Sequence, residues 1–99
     1  MPTAKAKIGD VLLAETDVWE NVEGNVYFPP TAIKDKSTFV GTDTTTFCPW
    51  KGHAQYYTIK LGDKDVKDAA WYYPEPYEKA MNIKDHVAFY KTKVQVTVD

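Results

Sequence analysis

Turn signals recur along this chain every eight to twelve residues, and that punctuation leaves room for short strands and little else. Gly and Pro mark the interruptions at Glu23-Gly24, Pro29-Pro30, CPWKG (48–52), LGDKD (61–65) and Pro74. Between them lie VLLAET, VWENV, NVYF, TTTF, HAQYYTIKL, VKDAAWYY, DHVAFY and KVQVTVD, runs rich in the β-branched and aromatic residues that suit a pleated, half-buried surface. The last run alternates, with Val94, Val96 and Val98 on one face and Lys93, Gln95 and Thr97 on the other, so one face is buried and one is wet. Two pieces read as helical. TAIKDKS suits a single turn with Pro30 near its start, and PYEKAMNI suits about two turns with Pro76 near its start. The pattern predicts a mainly β fold: an antiparallel sandwich or partly closed barrel of about eight short strands with one or two short helical turns. Locally it predicts a hairpin at Glu23-Gly24 with positive φ at Gly24, a terminal hairpin around Lys91-Thr92, and a loose arm over residues 1–8.

The totals narrow the function classes. Ninety-nine residues close one core, so residues 1–99 read as a single domain, and 43% hydrophobic with 26% charged residues is the composition of a folded globular chain. A formal charge of −2 with both signs interspersed lacks the field that draws in nucleic acid or an anionic membrane surface. No apolar run reaches the length of a bilayer span. One cysteine forms no internal disulfide and MPTAKAKIGD holds no apolar signal segment, which together point to a cytoplasmic setting. One Cys and two scattered His do not make a tetrahedral zinc set, so neither metal nor cofactor is expected.

The stretch FCPWKGHAQYYTIK (47–60) holds the densest chemistry. In CPWKGH the proline suits the first central turn position and the glycine the exit, which makes Cys48 and His53 the closing pair of a four-residue loop. Residues so paired have Cβ atoms about 4.5–5.5 Å apart on one face of the sheet. A thiol beside an imidazole, with Lys51 adding positive field, is the arrangement that raises the thiolate fraction for nucleophilic catalysis. The competing reading is structural: counting on from His53 by twos gives Gln55, Tyr57, Ile59 and Leu61, the more apolar face, and Cys48 then points inward as a small hydrophobe.

Aromatic residues are unusually many, with seven Tyr, four Phe and three Trp. By alternation Trp71 and Tyr73 share a face with Ala69, while Tyr72 points the other way. Such rings either fill a small core or line a cleft. Three functions follow. The first is a soluble, noncatalytic domain that binds a small molecule or peptide in a cleft of Tyr27, Tyr56, Trp71 and Tyr73, with Lys51 at the rim and Glu15 and Thr16 as further polar contacts. The second is a thiol-dependent enzyme with Cys48 as nucleophile, His53 as base and Lys51 as electrostatic support. The third is an assembly module, a homodimer formed through the edge of KVQVTVD.

AET, YFPP, CPWKGHAQYY, AAWYYPEP and HVAFY occur in an order and spacing that resembles the family called domain of unknown function 427 nearly end to end. The resemblance implies a small, mostly β fold and no settled activity. It places the family's motif positions on Glu15, Thr16, Tyr27, Pro29, Cys48, Pro49, Lys51, Gly52, Tyr56, Trp71, Tyr73 and Pro76. Two departures stand out: Pro30 sits where many relatives have Arg, and His53 where many have a small residue. The family also carries a nucleotidyltransferase-like label, but that chemistry needs metal-binding carboxylates and a phosphate-cradling glycine loop, and the sequence shows neither.

Overall fold

A computed structural model describes residues 2–99. Its nine strands are β1 (Ala4–Ile8), β2 (Val11–Thr16), β3 (Glu20–Val22), β4 (Asn25–Tyr27), β5 (Phe39–Cys48), β6 (Gly52–Leu61), β7 (Lys64–Tyr72), β8 (Val87–Phe89) and β9 (Gln95–Val98). All pair antiparallel, in a three-stranded sheet of order β2-β1-β9, a two-stranded hairpin β3-β4 and a four-stranded sheet of order β5-β6-β7-β8. Among the described residues no sheet closes into a barrel, and the architecture is the mainly β one that the turn spacing predicts. No helix among them is long and apolar enough to cross a membrane.

Two core clusters lie on opposite faces of the four-stranded sheet. On one face Ile59, Ala70, Val87 and Phe89 meet Ala4, Ala6, Leu13 and Ala14 of the three-stranded sheet, with Phe28 between them. Phe28 and Phe89 pack edge to face at 5.5 Å and 78°. On the other face Ala54, Tyr56, Trp71 and Ala88 are covered by Tyr27 from the hairpin and by Ala80 and Ile83 from a 3-10 segment, Glu78–Ile83. That segment supplies the two short helical turns that PYEKAMNI suggests, as 3-10 turns joined across a kink at Ala80.

Residues 4–8 are not a loose arm. AKAKI forms the central strand of its sheet, between β2 and β9, with Ala4 and Ala6 fully buried. Alanine carries little β propensity, so the strand owes its existence to two neighbours rather than to its own composition. The terminal hairpin is likewise absent, because β8 and β9 belong to different sheets. The amides of Lys93 and Val94 both donate to the Tyr90 carbonyl, each at 2.9 Å, and this single turn carries the chain across. Val94 is buried at that corner, but Val98, at the end of the predicted apolar face, is half exposed on an edge strand.

TAIKDKS becomes two 3-10 turns, Pro30–Ala32 and Lys36–Thr38. Ile33 bridges to Ala14 between them, and the Asp35 carboxylate accepts the Ser37 amide at 3.0 Å to start the second. At the hairpin tip Glu23 and Gly24 both take positive φ, 55° and 80°, as a two-residue turn matched to right-handed strand twist requires. Strand β7 carries a bulge at Asp68, φ 48°. The Asp68 amide donates to Thr58 Oγ1 at 3.3 Å, and the hydroxyls of Thr42 and Thr44 donate to its carboxylate, each at 2.9 Å. The bulge breaks the alternation, so Ala69 packs in the first cluster and not beside Trp71 and Tyr73.

Candidate functional site

The loop between β5 and β6 decides what the chemistry-bearing stretch can do. Its register pairs Cys48 with Gly52 and Phe47 with His53, one residue off the expected closing pair. Gly52 is the cause. It takes φ +110°, a conformation open to glycine alone, and a Cβ there would stand 3.4 Å from the Glu75 carbonyl. Closing the ladder at Gly52 puts Cys48 and His53 on opposite faces, since a shift of one residue reverses every side chain. Cys48 packs, half-buried, against the aromatic cluster, whereas His53 is exposed with its ring 4.9 Å from Phe47. The predicted Cys48–His53 pair therefore does not form, and the thiol has no imidazole base.

Lys51 is the unexpected member of that loop. Its backbone carbonyl accepts the Tyr77 amide at 3.0 Å, which pins the turn to the chain beyond Pro76. Its side chain is only 8% exposed and its ammonium sits 5.4 Å from the Trp50 ring centre and 5.5 Å from that of Tyr73. The ammonium donates to Glu23 Oε1, and Trp50 Nε1 donates to Glu23 Oε2 at 3.4 Å. Burial disfavours the charged lysine. The Glu23 hydrogen bond and charge, with the Tyr27 and Tyr73 hydroxyls, outweigh burial and hold its pKa above the usual lysine value. The Lys51 hydrogen bond in turn lowers the Glu23 carboxyl below its ordinary range.

The four rings expected to wall a cleft are instead packed on one another. Tyr27 and Trp71 meet edge on at 6.3 Å and 87°, and Trp71 Nε1 donates to the Tyr27 hydroxyl at 3.2 Å. The Tyr56 hydroxyl lies 3.0 Å from Thr46 Oγ1 and 3.1 Å from the Tyr90 hydroxyl, while the Tyr90 ring stands 4.7 Å from that of Trp71. Tyr27, Tyr56 and Tyr73 are buried, so this face of the sheet is filled. The structure brings Tyr27, Tyr56, Trp71 and Tyr73 together with Cys48 beside them. It leaves Glu15 and Thr16 apart on β2. There Glu15 lies 3.9 Å from Lys34, and Thr16 exchanges hydrogen bonds with the Val18 backbone. Among the described residues no group of three His, Cys, Asp or Glu side chains converges.

An open concavity lies on the opposite face. A cleft of about 280 Å³ is lined by Pro30, Ile33, Lys36, Phe39, Tyr57, Tyr72, Asp85 and Val87. Its aromatic wall is built from three strands. Tyr57 and Tyr72 stack at 4.7 Å and 15°, Phe39 meets Tyr57 edge on at 5.6 Å, and the Tyr72 hydroxyl donates to Gln55 Oε1 at 3.1 Å. Burial, with Tyr72 and Asp85 nearby, pushes the Tyr57 hydroxyl up to about 12. A second hollow, of about 340 Å³, lies against His53, Gln55, Pro74, Glu75 and Tyr77 and has a mixed polar and apolar lining. Sequence reasoning noticed Tyr57 and Tyr72 among the aromatics but gave no site role to Lys36, Phe39, Asp85 or Glu23, the last read only as part of a hairpin turn. These four sit in turns or at strand ends, where a charged or large residue carries no signal of what it will face.

A family model described as "Domain of unknown function (DUF427)" matches residues 3–99. No curated protein matches the chain.

Proposed function

The chain belongs to the DUF427 family, and from that premise we propose that it is a noncatalytic binding domain whose ligand site is the cleft between the 30–39 segment and the Tyr57–Tyr72 wall. The observation that supports this reading is the cleft itself: stacked, half-buried rings on one side, aliphatic Ile33 and Val87 beside them, and one cation and one anion, Lys36 and Asp85, at its margin. Small-molecule sites are concave and mostly apolar with a few polar groups that fix orientation. The volume, about 280 Å³, stands at the lower end of such sites, so it suits a small planar molecule or one side chain of a peptide. Catalysis finds less support. Cys48 lacks a base, and Lys51, its expected electrostatic support, is engaged by Glu23 instead.

The test is a nuclear magnetic resonance titration of the labelled protein with a diverse panel of planar aromatic fragments. Expected are shifts that gather on residues 30–39, Tyr57, Tyr72 and 85–87 and that vanish in Tyr72→Ala. Shifts that gather on another face, or that survive the substitution unchanged, would sink the proposal.

A further inference from the structure

On the filled face, the Trp50–Lys51 turn grips Glu23 in a way that has little to do with holding a strand pair. Both carboxylate oxygens are used, Oε1 by the Lys51 ammonium and Oε2 by the Trp50 indole N–H. The lysine is buried and its turn is held: Lys51 is 8% exposed, lies near two aromatic rings, and stands on a turn that the Tyr77 amide ties down, while Trp50 beside it is 38% exposed. The acceptor is neither. Glu23 is 53% exposed at a hairpin tip, and rotation about its own side-chain torsions takes its carboxylate into water without moving the backbone. The hairpin has other ties of its own, since Lys91 Nζ donates to the Gly24 carbonyl at 2.7 Å and Asn82 Nδ2 to Glu20 Oε1 at 2.8 Å.

We infer that Trp50 and Lys51 form a carboxylate-binding site in which Glu23 is a tethered, displaceable occupant, and that a small free monocarboxylate takes its place. A buried ammonium without an anion is costly, so the folded protein gains stability from a carboxylate in the site. An ammonium and an N–H directed at separate oxygens of one planar group select a carboxylate by shape as well as by charge. A tethered carboxylate competes at an effective concentration in the millimolar range or above, so Glu23 sets a threshold that the free ligand has to exceed. This site lies on the opposite side of the sheet from the aromatic cleft and stands or falls apart from it.

Deleting the occupant exposes the site. Glu23→Gly suits the positive φ of the turn and removes the carboxylate. Its melting temperature is expected below that of the wild type, and sodium acetate is expected to raise it by about 5 °C or more over sodium chloride of equal ionic strength, the scale of near-saturating occupancy in a domain this size. The wild type, with its site filled, moves much less. In Glu23→Gly with Lys51→Met the acetate effect disappears. Glu23→Gln, which keeps the side-chain shape, repeats the measurement through the Trp50 indole N–H resonance. That resonance shifts saturably with acetate if the site is real. An acetate response no larger than that to chloride, or one that persists without Lys51, overturns the inference.

Discussion

The two faces of the β5-β6-β7-β8 sheet draw on the same three long strands and end in opposite states. One is sealed: Tyr27, Tyr56, Trp71 and Tyr73 close on each other under the hairpin and the Glu78–Ile83 segment, with Lys51 held at the edge. The other is packed deep down by alanines and two phenylalanines of the sandwich and then left open, so that Tyr57 and Tyr72 line a cleft. Aromatic density alone does not mark a binding site. What matters is whether another segment reaches far enough to cover the rings.

The strongest way to break this contrast is at the base of the open face. Phe28 is fully buried against Phe89, and Phe28→Ala is expected to cost about 3–5 kcal/mol by urea or thermal denaturation, because the sandwich cannot collapse around the gap. On the sealed face, Trp71→Phe leaves the buried Tyr27 hydroxyl without the indole donor and is expected to cost about 1–3 kcal/mol. Gly52→Ala is expected in the same range, about 1–3 kcal/mol, because alanine must adopt a positive φ that L side chains rarely take. Differential scanning calorimetry of the pair tests whether the turn geometry matters as much as the packing it serves.

A pH series sharpens the comparison, because the open face carries one tyrosine displaced upward, Tyr57, and the sealed face two, Tyr90 and the buried Tyr73. Burial, Tyr72 and Asp85 push Tyr57 up to about 12, and the Tyr56 hydrogen bond with burial pushes Tyr90 up to about 12. The unfolded chain ionises its tyrosines near pH 10. Between these values the folded state holds more protons, so the contribution of these groups to stability is complete below about pH 10 and is lost as pH rises toward about 12. Phenolate absorbance read during alkaline titration checks it: Tyr57→Phe and Tyr90→Phe should each remove one late-ionising group, and titration of both near pH 10 would contradict the burial described. The smallest expected effect is Tyr72→Ala at the cleft wall, about 1 kcal/mol or less in stability. That variant separates binding from folding, since it should abolish fragment binding while the protein remains folded.

Much of the architecture is legible in the residues. VLLAET, NVYF, HAQYYTIKL and VKDAAWYY form strands as their composition directs, and Glu23-Gly24 makes the hairpin turn. Legibility fails where structure depends on distant neighbours. AKAKI is a strand only because β2 and β9 flank it, and KVQVTVD leaves its sequence neighbour for β1. The loop at Cys48 fails differently: the turn was evident, but one residue of register, set by the left-handed Gly52, separates the thiol from the imidazole. The Glu23–Lys51 pair spans 28 positions between two turns, each of which reads by itself as a solvated loop.

By itself the sequence determined where the chain turns, that it forms strands, and which side chains alternate along most of them, because dihedral preferences and the two-residue repeat are local properties of the backbone. Tertiary structure alone decided which face would be covered and which would remain a cleft. That depends on segments remote in sequence arriving over a given set of rings, and no local preference records their arrival.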